Sequence, residues 1–301
     1  MLSKPKILVV THDAGGSEII AAFVKKNFNK KKFEIYTAGP GAKIFRRENI
    51  PFRRAPQEEK KLSQIITKHD DASLVLLGTG WMTKIESLAL AEAKKNHIKT
   101  AVYLESWSNF RERFGYPKKG WENNAPDEVW VGDRPAQKIA DRFFPHTLVR
   151  LVQNEYFAEA KRLFKELKKG APPAKCVLFL SDAVPGTEEI FEEFLAEIST
   201  RSNEYHIRIR FHPADDRTRY DPIILRYIGK IKIEKSKEKN LAHDLLYARQ
   251  VVGTETVAMV VSLTCGVPTI SISNLGKKVA PLPFEGIIRV RSAKQAGRLI
   301  N

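Results

Sequence analysis

The sequence predicts an α/β protein made of two doubly wound, Rossmann-like domains facing a cleft. Three observations carry this expectation. Short apolar runs such as Ile7–Val10, Leu74–Leu77, Ala101–Leu104 and Cys176–Leu180 are continuous, not alternating, as in strands buried on both faces of a parallel sheet. Helical stretches stand between these runs throughout the chain, the pattern of helices covering both faces of a sheet. The alternation also breaks once, at Gly170 and Pro172-Pro173, and then restarts, in a chain of 301 residues that has room for two cores.

In chain order, the run at 7–10 is a first strand, followed by a Gly-rich turn and a helix over 17–28. A second strand is expected at 33–38. The run at 74–77 is bounded by Gly78 and Gly80, and a helix over 83–95 follows. Strands at 101–104 and 129–131 flank an aromatic-rich loop, and 148–152 closes the first set. Tyr156, Phe157, Ala160, Leu163, Phe164 and Leu167 share one helical face over 155–168. The expected division is therefore 1–154 as a first domain, 155–173 as helix and linker, and 174–301 as a second domain. In the second domain, strands are read at 176–180, 206–211, 231–233 and 287–290, with helices at 188–198 and 240–247 and a short terminal one. Residues 250–272, QVVGTETVAMVVSLTCGVPTISI, read as strand, tight turn, apolar buried helix, glycine stop at Gly266 and strand.

The bulk composition narrows the classes. Hydrophobic residues make up 43 % and charged residues 29 %, as in ordinary soluble domains. No apolar run approaches the roughly 20 residues needed to cross a bilayer. The start, MLSKPKILVV, runs straight into a strand with no long apolar core, against a signal peptide and for a cytoplasmic protein. Cys176 and Cys265 stand alone in apolar elements and are expected as buried free thiols, with no zinc-site spacing. The net charge of +16 points to anionic partners, either small ligands or an anionic membrane surface touched peripherally. The local runs at 25–32, 165–169 and 230–239 also fit solvated faces. Nucleic acid ranks last, because no RNA-binding aromatic signature accompanies the charge.

The candidate chemistry lies at expected strand ends. After the first strand, Gly15 and Gly16 would let a ligand approach the backbone closely. His12 and Asp13 are candidate bases there, the alternative being that Asp13 or Ser17 caps the helix. The spacing does not fit the dinucleotide fingerprint, and no Gly-Lys-Ser/Thr phosphate loop is present. The loop 105–114 combines aromatics, charges and amides. Glu105 is a further candidate base, Trp107 a platform for a sugar face, and Arg111 or Arg113 a holder of phosphate or carboxylate. The alternative is that Trp107, Phe110 and Phe114 anchor the loop. In the second domain, Pro213 holds His212 at a strand end, where the imidazole could serve a diphosphate or protonate a leaving phosphate. Ser181 and Asp182 are weaker candidates of the same kind. Gly253 frees the turn, Thr254 or Thr256 caps the next helix, and that helix N-terminus suits a phosphate. Glu255 could be stabilised by the helix end or accept from ribose hydroxyls.

The pair His212-Pro213 and the segment Gly253-Thr254-Glu255-Thr256…Cys265-Gly266-Val267-Pro268 resemble the GT-B glycosyltransferases. Residues 107–114 and 126–133 look like segments of glycosyltransferase-like proteins from bacterial surface-polysaccharide clusters. The resemblance implies a nucleotide-sugar donor on the second domain and a glycan or lipid-linked acceptor on the first. His212 would then touch the phosphates, and Gly253, Thr254, Glu255 and Thr256 the phosphate or ribose. Bacterial sialyltransferases carry a similar His-Pro, which admits a CMP-sugar. Val261 stands where many such enzymes place a ribose-binding glutamate, so the resemblance implies an inverting transferase or another donor mode. No Asp-x-Asp pair stands at a strand end, Asp70-Asp71 and Asp215-Asp216 lying at other junctions, so no metal and no cofactor beyond the nucleotide sugar is expected on this reading. The rivals are a nucleotide-sugar 2-epimerase of the same fold and a non-catalytic protein that binds acidic glycans.

Overall fold

The computed structural model describes residues 4–80, 83–201, 205–213, 215–238, 240–273 and 282–300. The chain divides into two compact units, Met1–Tyr156 and Phe157–Asn301.

The first unit runs β1 (Lys6–Thr11), α1 (Ala14–Asn27), β2 (Lys32–Thr37), α2 (Gly39–Arg47), β3 (Arg53–Arg54), α3 (Glu59–Lys68), β4 (Leu74–Leu77), α4 (Ile85–Lys95), β5 (Thr100–Leu104), β6 (Glu128–Val131), α5 (Arg134–Phe143) and β7 (Leu148–Leu151). Its seven strands are parallel, in the order β3-β2-β1-β4-β5-β6-β7. Leu8, Val9 and Val10 of β1 and Val75, Leu76 and Leu77 of β4 are buried on both faces, which is why their sequence does not alternate. The helix read at 17–28 begins three residues earlier, at Ala14, so Gly15 and Gly16 lie in its first turn. Helix α2 is absent from the sequence expectation because Gly39-Pro40-Gly41 reads as a turn. The structure instead uses the proline in the first helical turn, where its missing N–H costs nothing.

The second unit begins within α6 (Glu155–Lys168), of which it takes all but the first two residues. It runs β8 (Cys176–Leu180), α7 (Thr187–Ser199), β9 (His206–Arg210), α8 (Asp221–Tyr227), β10 (Lys232–Lys235), α9 (Leu241–Tyr247), β11 (Ala248–Gly253), α10 (Val257–Thr264), β12 (Thr269–Ile272), β13 (Ile287–Val290) and α11 (Ala293–Arg298). The six parallel strands are ordered β10-β9-β8-β11-β12-β13. Phe179, Phe191, Phe194 and Tyr220 form the centre of its core, with the Phe179 and Phe191 rings 4.7 Å apart. Each buried ring contributes roughly 1.5–3 kcal/mol. Helix α10 is shorter than its apolar sequence suggests and is buried only over Met259–Ser262. Gly266 ends it with φ +78°, the left-handed conformation that glycine adopts without strain. Cys176 is buried, whereas Cys265 is half-buried.

Both sheets share one consequence. The chain leaves the first strand of each unit to build outward on one side, then returns to build on the other. The strand order therefore reverses between β1 and β4, and again between β8 and β11. In doubly wound sheets ligands bind at the carboxyl ends of the strands at such a reversal. Among the described residues, no helix is long and apolar enough to cross a membrane.

Candidate functional site

At the reversal in the first unit, His12 and Asp13 follow β1, and Gly78-Thr79-Gly80 follows β4. Asp13 occupies the N-cap position of α1, but its carboxylate does not cap the helix. Its Oδ1 pairs instead with His12 Nδ1 at 2.8 Å. The His12 backbone N–H donates to Glu86 Oε1 at 2.7 Å. Glu86 stands on the buried face of α4 and is 6 % exposed. Its other oxygen, Oε2, is sealed from solvent without a hydrogen-bond partner among the described residues. Burial, together with the Asp13 charge, pushes the Glu86 carboxyl up to about 7. The sequence reading passes over Glu86. The available signal was a carboxylate on the apolar face otherwise formed by Ala89, Leu90 and Ala93.

Several of the expected site residues have protein partners here. A side chain at Gly15 would meet Glu105 Cγ at 2.8 Å, and one at Gly16 would meet Gly78 Cα at 3.1 Å. These glycines therefore admit close approach of neighbouring protein. His12 is 5 % exposed, and a Cβ at Gly39 would lie 2.4 Å from its Nε2. With Nδ1 on Asp13 and Nε2 against the start of α2, the ring is a structural partner of Asp13. Glu105 is engaged through both oxygens, accepting from Thr79 Oγ1 at 2.6 Å and pairing with Arg113 at 2.8 Å. The Arg113 guanidinium is 5 % exposed and also reaches Ser106 Oγ at 2.7 Å. Glu105 is thus half of a buried ion pair that shapes the loop. Trp107 is 7 % exposed and donates to both Asp133 oxygens, at 3.1 and 3.0 Å, while Asp133 caps α5. The indole N–H is committed to that anchor. Arg111 lies 3.9 Å from the Tyr116 ring centre and 4.5 Å from that of Phe143. Its cation is held by aromatic faces. The Asp13 side chain is 16 % exposed and that of Glu105 11 %.

Beside this cluster lies a cavity of about 590 Å³. Glu86, Thr79 and Gly80 line one wall, Leu90, Val102 and Phe114 give it an apolar floor, and Lys84 and Lys118 stand at its margin.

At the reversal in the second unit, Ser181 and Asp182 follow β8, and Thr254 follows β11. Thr254 Oγ1 donates to Asp182 Oδ2 at 3.2 Å, spanning the two strand ends. Ser181 Oγ donates to Asp215 Oδ2 at 2.6 Å and accepts from the His212 N–H at 2.9 Å. Asp215 is fully buried, accepts from Tyr220 OH at 2.9 Å and pairs with Arg219. Ser181 is therefore a positioning residue that fixes the loop bearing His212. Burial holds the His212 imidazole below the usual range, against the charges of Asp182 and Asp215, so the ring is neutral at neutral pH.

Gly253 does not adopt a left-handed turn. It is glycine because a Cβ there would sit 2.9 Å from the Leu180 carbonyl oxygen. Glu255 lies before α10, not in it, and is consumed within the protein. It accepts from Ser271 Oγ at 2.7 Å, Ser273 Oγ at 3.3 Å and the Leu282 N–H at 2.8 Å. Thr256 holds the N-cap position of α10 without making the cap bond, and its Oγ1 is buried with no partner among the described residues. Buried polar atoms are nearly always paired in proteins, so this hydroxyl is a donor in want of an acceptor. It stands at the start of a helix, where the Met259 N–H already donates to the Thr256 carbonyl at 3.1 Å.

Comparison with protein-family models and with curated protein sequences gives no match. Comparison with solved structures does. The chain is similar to the UDP-GlcNAc 2-epimerase of Neisseria meningitidis bound to UDP-GlcNAc, with TM-score 0.68 and 11 % identity over 97 % of this chain and 89 % of that one. It is similar to Anabaena HepE in complex with UDP-glucose, with TM-score 0.65 and 10 % identity over 98 % of this chain and 88 % of that one. A glycosyltransferase from Rickettsia africae gives TM-score 0.59 and 11 % identity over 98 % of this chain and 87 % of that one. The fold is thus that of two Rossmann-like, GT-B-like units.

Proposed function

We propose that the protein is a nucleotide-sugar-dependent glycosyltransferase, with the donor on the second unit and the acceptor on the first. The observation that carries this reading is that each unit has its own polar site at its own strand reversal. In the second unit, a neutral His212 positioned by Ser181, the unpaired Thr256 hydroxyl and the α10 N-terminus form a set of donors suited to a diphosphate. In the first unit, Asp13 and Glu86 supply carboxylates beside a cavity large enough for a second substrate. An acceptor hydroxyl would lose its proton to one of these carboxylates as its oxygen bonds the anomeric carbon. The bond from that carbon to the phosphate oxygen breaks, and the electron pair departs with the nucleotide. His212 donates a hydrogen bond to the phosphate as this charge develops. Inversion and independence of metal belong to the same proposal.

The second reading is a nucleotide-sugar 2-epimerase, favoured by the higher TM-score of the epimerase than of the glycosyltransferase, 0.68 against 0.59. Nucleotide release and sugar products from UDP- and CMP-sugars, measured with and without glycan acceptors and with a chelator, separate the two. The transferase requires acceptor and is indifferent to chelator. Conversion of donor alone to its 2-epimer would establish the rival.

A further inference from the structure

The cavity in the first unit has features that the general transferase reading does not use. Its one buried carboxylate oxygen without a partner among the described residues is Glu86 Oε2, on a residue that is 6 % exposed. A buried acceptor left unpaired costs about 1–3 kcal/mol, and a hydroxyl group entering the cavity would remove that cost. The surrounding charge is mostly positive. Lys94 is spent on the loop, donating to the carbonyls of Asn123 at 2.7 Å and Ala125 at 2.6 Å. Arg113 is paired with Glu105. Lys84 and Lys118 are exposed lining residues whose chains reach the cavity from α4 and from the loop after β5. Glu112 is the other carboxylate in the lining. The floor of Leu90, Val102 and Phe114 suits the C–H face of a sugar ring.

We propose that this cavity binds an anionic sugar, one of whose hydroxyls hydrogen-bonds Glu86 Oε2 while its charged group is drawn to Lys84 and Lys118. This rests on the transferase reading for its role, since the anionic sugar would then be the acceptor. The recognition itself depends only on the first unit. The anion could be a carboxylate or a phosphate, and both present the same chemistry to two lysines.

The test is a titration of the full chain with glucuronate, glucose 6-phosphate and glucose, followed by tryptophan fluorescence and calorimetry. All four tryptophans lie in the first unit. Saturable binding of glucuronate or glucose 6-phosphate, with glucose at least about tenfold weaker, is expected, and the stronger of the two anions names the group. Glu86→Gln should weaken the anionic sugar about tenfold, the worth of one hydrogen bond to a buried carboxylate. The double variant Lys84→Glu/Lys118→Glu, at exposed positions that do not threaten the fold, should weaken it further and abolish its salt dependence. Equal affinity for glucose, unchanged affinity in both variants, or no saturable binding of either anion overturns the proposal. UDP-glucose and CMP titrated into the same samples separate the failures. Nucleotide binding without anionic-sugar binding sinks this inference alone, whereas loss of nucleotide binding in the wild type sinks the transferase reading.

Discussion

Replacing Glu86 by glutamine should change how the stability of the first unit responds to pH. Burial raises this carboxyl from 4.5 to about 7. A shift of that size corresponds to about 3 kcal/mol between the folded and unfolded chains once the group is ionised. The sign follows from proton binding. Between the two values the folded unit keeps a proton that the unfolded chain has released, so stability falls as pH rises through that window. The contribution is fully present below 4.5 and gone above about 7. His12 and Asp13 face Glu86 from the β1–α1 turn, Lys84 shares its helix end, and Arg113 lines the same cavity. All of these remain in the variant, so the difference between the two proteins isolates Glu86. Glutamine keeps the bond from the His12 N–H through its own oxygen but leaves an amide N–H₂ where Oε2 had no partner. That costs about 1–3 kcal/mol at every pH. The slope of the difference is therefore diagnostic, and its absolute value is not. Guanidinium unfolding followed by tryptophan fluorescence should show the wild type losing about 3 kcal/mol relative to Glu86→Gln between about pH 4.5 and 8. A difference that is flat with pH would refute the buried, proton-sharing Glu86.

Arg113→Ala should destabilise the first unit by about 3–5 kcal/mol, because it leaves Glu105 as an uncompensated buried charge. Denaturant midpoints measure this, and a loss below about 1 kcal/mol would contradict a buried, stabilising pair. Gly253→Ala should cost about 1–3 kcal/mol through the clash with the Leu180 carbonyl, seen as a lower melting temperature of the second unit. Normal stability would contradict the close approach of β11 to β8. Trp107→Phe should lose about 1 kcal/mol of stability with its bond to Asp133 while leaving acceptor affinity unchanged. Lost affinity at unchanged stability would restore the sugar-stacking role.

The fold was largely legible in the sequence, because strands buried on both faces cannot alternate and glycine or proline marks their ends. Helices α2, α3, α5 and α8 were not. They open on Gly-Pro-Gly, Glu-Lys-Lys, Arg-Pro and Asp-Pro, which read locally as turns or charged loops and become helical when tertiary packing decides. The strand-end positions of His12, Asp13, Ser181, His212 and Thr254 were legible for the same reason as the strands. The commitments of their neighbours were not. Trp107 meets Asp133 across 26 residues, Ser181 meets Asp215 across 34, and Glu255 meets Leu282 across 27. No spacing rule announces such pairs. Glu86 was hidden by its own surroundings, a single carboxylate in an apolar helix that reads as core.

Calorimetric titration of UDP, UDP-glucose, UDP-GlcNAc and CMP into the wild type and His212→Ala tests the central claim, that the second unit holds a nucleotide sugar. The account predicts that at least one of them binds the wild type and binds the variant about tenfold or more weakly, through loss of a hydrogen bond to charged phosphate. Binding of equal strength to both proteins, or no binding to either, would contradict it.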